Sequence, residues 1–238
     1  MGRKWVKRLI IIIGIILLIA IVDYEILQRH SWSTWHLPLS GKVIVIDPGH
    51  GGPDGGAERE NVQEKEIALK VAKHLRDYLQ ESGALVLMTR EHDTDLADNG
   101  NKGLSQRKSQ DLRRRAEFIK NADADAVISI HLNAIHSSRW HGAQTFYHPK
   151  SEKNEKMAKF IQDSLRVQLT NTNRYAKPIE HIYLLKKVPA PSALVEIGFL
   201  SHTEERRLLK TNDYQKKVAV SIYHGIMRYF TKEKVPLS

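Results

Sequence analysis

Two histidines in this chain follow apolar, β-branched runs, and their placement is what suggests chemistry. His50 comes just after Val43-Ile44-Val45-Ile46-Asp47, inside Pro48-Gly49-His50-Gly51-Gly52-Pro53-Asp54-Gly55-Gly56, and His131 closes Val127-Ile128-Ser129-Ile130. Both runs read as buried strands. In an open α/β sheet, sites form where strands end at their carboxyl edge, and glycines let the backbone approach an ion or substrate. Glu64 opens a helix after the His50 loop and continues its apolar stripe of Ile67, Ala68, Val71, Leu75 and Leu79, so it faces the sheet. Glu66 aligns instead with Lys70, Lys73 and Asp77 on a solvated face, and Glu60 precedes the helix, tied to no face. Two imidazoles and one carboxylate can hold a catalytic zinc whose fourth position is left for water. Glu196 is a lone carboxylate within Ala193-Leu194-Val195-Glu196-Ile197, where burial is costly unless the group is paired, liganded or lining a cavity. A general base beside a metal-activated water is one reading of it, and a buried salt bridge is the other. A purely structural role for the two histidines competes in the same way. His136, His141 and His148 lie in loops and rank lower.

Several classes are excluded or disfavoured. The chain has no cysteine, so disulfides and thiolate ligands are absent and any metal must be held by histidine and carboxylate. No Gly-Lys-Ser/Thr follows the glycine loop and no G-x-G-x-x-G spacing occurs, which argues against phosphate binding. The formal net charge of +10 comes without any helix-turn-helix, zinc-finger or RNP-like pattern, so no nucleic acid is expected. An anionic wall or membrane surface suits that charge equally well.

The elements that must position these residues form an alternating series. Strands are expected at 43–47, 85–89, 126–131, 142–147, 182–185 and 192–200, and helices at 63–81, 111–120, 152–169 and 214–230, with 91–108 as an exposed loop. Such alternation implies an α/β fold, a single domain with a mostly parallel sheet covered by helices on both faces. Ahead of it, Arg3, Lys4, Lys7 and Arg8 precede an apolar run from Leu9 to Val22 with no cleavage signal after Ala20. This reads as a hydrophobic anchor with its basic end cytoplasmic, or as an export signal. Residues 25–40, with Trp32, Trp35, His36 and Pro38, read as a tether, its tryptophans at the membrane interface. The expected division is therefore 1–40 for basic start, anchor and tether, and 41–238 for the folded domain.

Five stretches together carry a resemblance. Asp47-Pro48-Gly49-His50-Gly51-Gly52-Pro53-Asp54-Gly55-Gly56-Ala57, Glu64-Lys65, Thr89-Arg90-Glu91-His92-Asp93, Ser129-Ile130-His131-Leu132-Asn133-Ala134 and Val195-Glu196-Ile197-Gly198-Phe199-Leu200-Ser201 are similar, in this order, to the motifs of the zinc-dependent N-acetylmuramoyl-L-alanine amidases of the amidase-3 family. The resemblance spans 41–230. It implies zinc held by His50, Glu64 and His131, Glu196 as the catalytic carboxylate, and peptidoglycan as substrate, cleaved between N-acetylmuramic acid and L-alanine. The small size, the anchor, the lack of an added wall-binding module and Arg107-Lys108…Asp111-Leu112 most resemble the germination-specific, spore-cortex branch. Ile119-Lys120 and His202 depart from the family's usual Ala-Asn and Asn, which touches substrate detail and no ligand. Arg90 or Arg115 is expected to position carboxylates or glycan. The implied location is extracytoplasmic, and an activating protein partner is not readable from the sequence. Two rivals stand beside this reading: a two-metal phosphoesterase that recruits Asp47 and Asp54, and a wall-binding module that keeps the fold without the chemistry.

Overall fold

The computed structural model describes residues 2–32, 37–98, 103–231 and 233–236, without the side chains of Lys4 and residues 26–32. The chain divides into two units, Met1–Leu37 and Pro38–Ser238.

Among its described residues the first unit holds one helix, α1 (Gly2–Trp32). Its segment Trp5–Glu25 is 21 residues long and wholly exposed, enough at 1.5 Å per residue to cross a hydrocarbon core of about 30 Å. The expected tether is thus helical as far as Trp32, while Trp35, His36 and the interfacial placement of the tryptophans lie outside the described residues.

In the second unit the strands are β1 (Val43–Pro48), β2 (Glu58–Arg59), β3 (Val62–Gln63), β4 (Leu85–Met88), β5 (Ala126–Asn133), β6 (Gln144–Tyr147), β7 (Lys177–Pro178) and β8 (Ser192–Phe199). The helices are α2 (Glu64–Glu81), α3 (Leu104–Asn121), α4 (Glu152–Leu169), α5 (Tyr183–Lys187), α6 (Thr203–Leu209) and α7 (Asn212–Phe230). Six strands form one sheet in the order β4-β1-β5-β8-β6-β7, with β4, β1, β5 and β8 parallel and β6 antiparallel to β8. The mostly parallel sheet with helices on both faces is therefore as the sequence implied.

Strand alternation explains where the site falls. Successive side chains point to opposite faces. Ile44, Ile46, Ile128, Ile130, Val195 and Ile197 enter the large core shared with α2, α4 and α7. Val45 and Val127 face the other way, into a smaller cluster with Ile119, Leu184 and Val188 from the α3–α5 side. Continuing that second series to the strand ends gives Asp47, Ser129, His131, Leu194 and Glu196. The register sets Asp47 beside Ser129 and His131 beside Glu196 on neighbouring parallel strands.

Three expectations are corrected. Residues 182–185 are not a strand: Tyr183–Lys187 forms α5, because a four-residue apolar run has no intrinsic period and Leu-Leu-Lys-Lys favours helix. The end of the expected 91–108 loop belongs to α3, which starts at Leu104; residues 99–102 lie outside the described set. The expected domain start at 41 omits Leu39, which is fully buried in the main core with its N–H donated to the Ser82 carbonyl at 3.0 Å.

Candidate metal centre

His50 is presented by a strained loop. Its φ is 59°, in the left-handed region that a β-carbon disfavours. Two buried arginines hold the loop there through its carbonyl oxygens. Arg90 donates from Nε to Pro48 O (3.0 Å) and from Nη2 to Gly49 O (2.8 Å), and Arg115 donates from Nη1 to Pro48 O (2.8 Å) and from Nη2 to His50 O (2.6 Å). Arg115 is also paired with Asp47 and Asp111, each at 2.8 Å. Asp47 accepts further from Thr89 Oγ1 (2.6 Å) and Ser129 Oγ (2.7 Å). Burial alone would raise the Asp47 pKa, but the Arg115 charge and the two hydroxyls bring it down to about 2. Arg90 and Arg115 are 3% and 1% exposed, and their donors are taken up by the loop carbonyls and, for Arg115, by Asp47 and Asp111.

Glu64 is the first residue of α2, where its carboxylate is favoured by the helix dipole. Oε1 accepts from Leu132 N and meets His131 Nδ1, both at 2.9 Å; Oε2 accepts from Ala57 N at 2.7 Å and lies 3.2 Å from His50 Nε2. Burial pushes its pKa up, yet the imidazole hydrogen bonds and charges outweigh this and hold it well below the usual carboxylate range. For His50, burial favours the neutral ring, while Asp54 and Glu64 favour the cation and raise its pKa to about 9. The close approach requires glycines: a β-carbon on Gly49 would overlap the His131 ring, and one on Gly56 would lie 2.6 Å from Glu64 Oε2.

One ligand atom each from His50, Glu64 and His131 lies within 4.8 Å of the others, the described His/Cys/Asp/Glu group with the spacing to hold an ion. The donor set suits zinc, which takes imidazole nitrogen and carboxylate oxygen. The supporting groups fit as well. Asp54 Oδ2 meets His50 Nδ1 at 2.8 Å, the carboxylate–histidine arrangement that leaves Nε2 for a metal. Sequence reasoning had offered Asp54 only as a second-metal ligand; its place four residues after His50 in a glycine loop was the available signal for this role. With Asp54 on His50 and Asp47 on Arg115, the two-metal arrangement finds no support among the described residues.

Glu196 completes the site. Its Oε2 is buried and has no hydrogen-bond partner, and burial, with the Glu64 charge adding to it, raises its pKa to about 7. The salt-bridge reading therefore fails. Glu196, His50 and His131 line a cleft of about 310 Å³ whose apolar wall includes Leu112, Leu184 and Leu194. The other candidates are placed elsewhere: Glu60 pairs with Arg206 at 2.6 Å, Glu66 is exposed, and His141 packs against His202 with ring centroids 5.1 Å apart. His136 is exposed, and His148 accepts from Lys150 N.

Fold and donor set together define a candidate metallohydrolase, with three convergent ligands and an unpartnered carboxyl at the carboxyl edge of a parallel sheet. Comparison with known proteins narrows the class. Residues 44–228 match the family model for N-acetylmuramoyl-L-alanine amidase, and this chain belongs to that amidase-3 family. It is 55% identical to the germination-specific N-acetylmuramoyl-L-alanine amidase of Bacillus subtilis, over 98% of this chain and 99% of that one. It is 33% identical to the amidase LytC of the same organism, over 81% of this chain and 36% of LytC. Among solved structures, the CwlD amidase of Clostridioides difficile, in complex with the GerS lipoprotein, superposes with a TM-score of 0.79 at 41% identity, covering 81% of this chain and all of that one. The family resemblance carried by the five motifs is thus borne out.

Proposed function

We propose that this chain is a zinc-dependent N-acetylmuramoyl-L-alanine amidase that cleaves peptidoglycan in spore cortex maturation or germination. The observation that carries the mechanism is the buried, unpartnered Glu196 oxygen beside the His50–Glu64–His131 cluster, on one cleft. His50, Glu64 and His131 would hold the metal. Zinc bound there supplies a Lewis acid that polarises the amide carbonyl and acidifies a water. Glu196 takes the proton of the attacking water and returns it to the departing amine of L-alanine, a task open to a carboxyl oxygen that no other described group occupies. Asp54 keeps the His50 tautomer, and Arg90 and Arg115 hold the loop carbonyls so that the ring does not drift. The apolar wall of the cleft limits the water around Glu196.

The apolar helix Trp5–Glu25 serves in this reading as signal or membrane anchor and places the catalytic domain outside the cytoplasm. The Clostridioides neighbour was solved with a lipoprotein, and a partner of that class is proposed here too. Zinc-loaded protein incubated with purified peptidoglycan should release new N-terminal L-alanine amines, and chelator should stop it. Release that is absent both alone and with such a partner, or indifferent to chelator, would refute the proposal.

A further inference from the structure

We infer that Lys108 recognises a free carboxylate on the peptide side of the substrate and so sets the direction in which the scissile amide lies. This rests on the amidase reading above. The cleft is lined by four carboxylate residues, Asp47, Asp54, Asp111 and Glu196, but by only two Lys or Arg side chains among the described residues, Arg115 and Lys108. Arg115 is committed: its side chain is 2% exposed and spread over Asp47, Asp111 and two loop carbonyls. Lys108 differs, with a side chain 49% exposed whose described partner is Asp54, at 3.1 Å from Nζ to Oδ2.

That pair can be exchanged without orphaning either group. Asp54 keeps His50 Nδ1 at 2.8 Å and Gly56 N at 3.1 Å when Lys108 turns away. A lysine on a flexible stem, with three donors, can serve an incoming carboxylate alongside Asp54 or in its place. Substrate chemistry decides which anion this is. On the muramoyl side the lactyl carboxyl is consumed in the scissile amide, and the carboxyl of alanine is consumed in the next peptide bond. A residue with a second carboxyl, left free by its peptide linkage, can first occur at the second position of the peptide, which is the nearest free carboxylate the substrate can offer. Lys108 Nζ and His50 Nδ1 share Asp54 Oδ2, at 3.1 and 2.8 Å, which sets the ammonium on the same cleft, on the far side of the His50 ring from the metal-facing Nε2. The peptide then runs towards α3 and the glycan away from it.

The test uses full-length, zinc-loaded protein in detergent and two soluble N-acetylmuramoyl-L-alanyl dipeptides. They differ only in a carboxylate or a carboxamide on the second residue, whose other carboxyl is blocked as an amide. Wild type should prefer the carboxylate by about tenfold in kcat/KM, expressed in KM, the effect of one charge-assisted hydrogen bond. Lys108→Gln should bring the ratio close to one and Lys108→Arg should restore it. Equal turnover of both compounds by wild type overturns the assignment while leaving the amidase reading intact. A preference that persists in Lys108→Gln overturns it as well. Turnover of neither compound defeats the amidase reading itself, and the role of Lys108 with it.

Discussion

Glu196→Gln separates the cost of the buried carboxyl from its use. Glutamine keeps the shape and cannot ionise. In metal-free protein burial pushes the Glu196 carboxyl up to about 7 from an ordinary 4.5, with His131 and His50 opposing the shift and Glu64 adding to it. Below pH 4.5 the folded and unfolded chains both hold this proton and the group contributes nothing. Between 4.5 and 7 the unfolded chain ionises first, so folding loses stability as pH rises, and above 7 the whole penalty is present. At about 1.4 kcal/mol per pKa unit the penalty reaches roughly 3 kcal/mol. Chelator-treated Glu196→Gln should therefore melt close to wild type at pH 5 and roughly 6–12 °C above it at pH 8. Titrating groups that do not interact with Glu196 are common to both proteins and cancel in the comparison. Turnover should fall by about 10²–10⁴, the contribution of a positioned proton acceptor, while zinc affinity stays near wild type because no ligand has been removed. A melting difference that does not grow with pH would show that the carboxyl is not held neutral by the fold. Loss of zinc would show that Glu196 is a ligand.

Two further outcomes follow from the placement of individual residues. Glu64→Ala should lose most zinc affinity in a chelator-competition titration, whereas Glu60→Ala, which breaks only the Arg206 pair, and Glu66→Ala, an exposed change costing less than about 1 kcal/mol, should keep it; the reverse pattern defeats the ligand assignment. A chain begun at Pro38 should unfold at higher denaturant than one begun at Gly41, by a difference equivalent to roughly 2–5 kcal/mol, because the shorter one lacks the buried Leu39; coincident midpoints would show that Leu39 adds nothing.

The candidate site was legible to the extent that it depends on periodicity. Alternation along 43–47 and 126–131 announced the strands, the i, i+3, i+4 stripe after Glu64 turned that residue inward, and a lone carboxylate in an apolar run marked Glu196. What could not be read was pairing between strands. Nothing local in the sequence says that β5 lies beside β8, so the juxtaposition of His131 with Glu196 appears only in the register. The segment 182–185 failed for the opposite reason: it is too short to show a period, and its state was decided by packing of Leu184 against Ile119 and Val188. The turn at Glu60 and Asn61, both with positive φ, joins β2 to β3 and was missed because neither residue is the glycine that usually marks such a turn. Leu39 was assigned to the tether because one apolar residue between prolines and serines carries no pattern at all.

The two arginines show why reading a site residue by residue has a limit. Arg90 comes from the end of β4 and Arg115 from α3, and each looks in sequence like a cation available to an anionic substrate. Backbone carbonyls crowded at the end of β1 claim them first. A left-handed His50 leaves Pro48, Gly49 and His50 carbonyls turned towards the interior, where unpaired oxygens are costly. A guanidinium offers five donors in a rigid fork, against three on a lysine ammonium, and satisfies several such oxygens at once. Burying two like charges together then calls for nearby anions, and Asp47 and Asp111 supply them. The acidic residues under the loop are thereby accounted for without a second metal. With both arginines so committed, the proposed recognition of a substrate carboxylate rests with Lys108, whose loop partner Asp54 keeps its bonds to His50 and Gly56 when the lysine turns away.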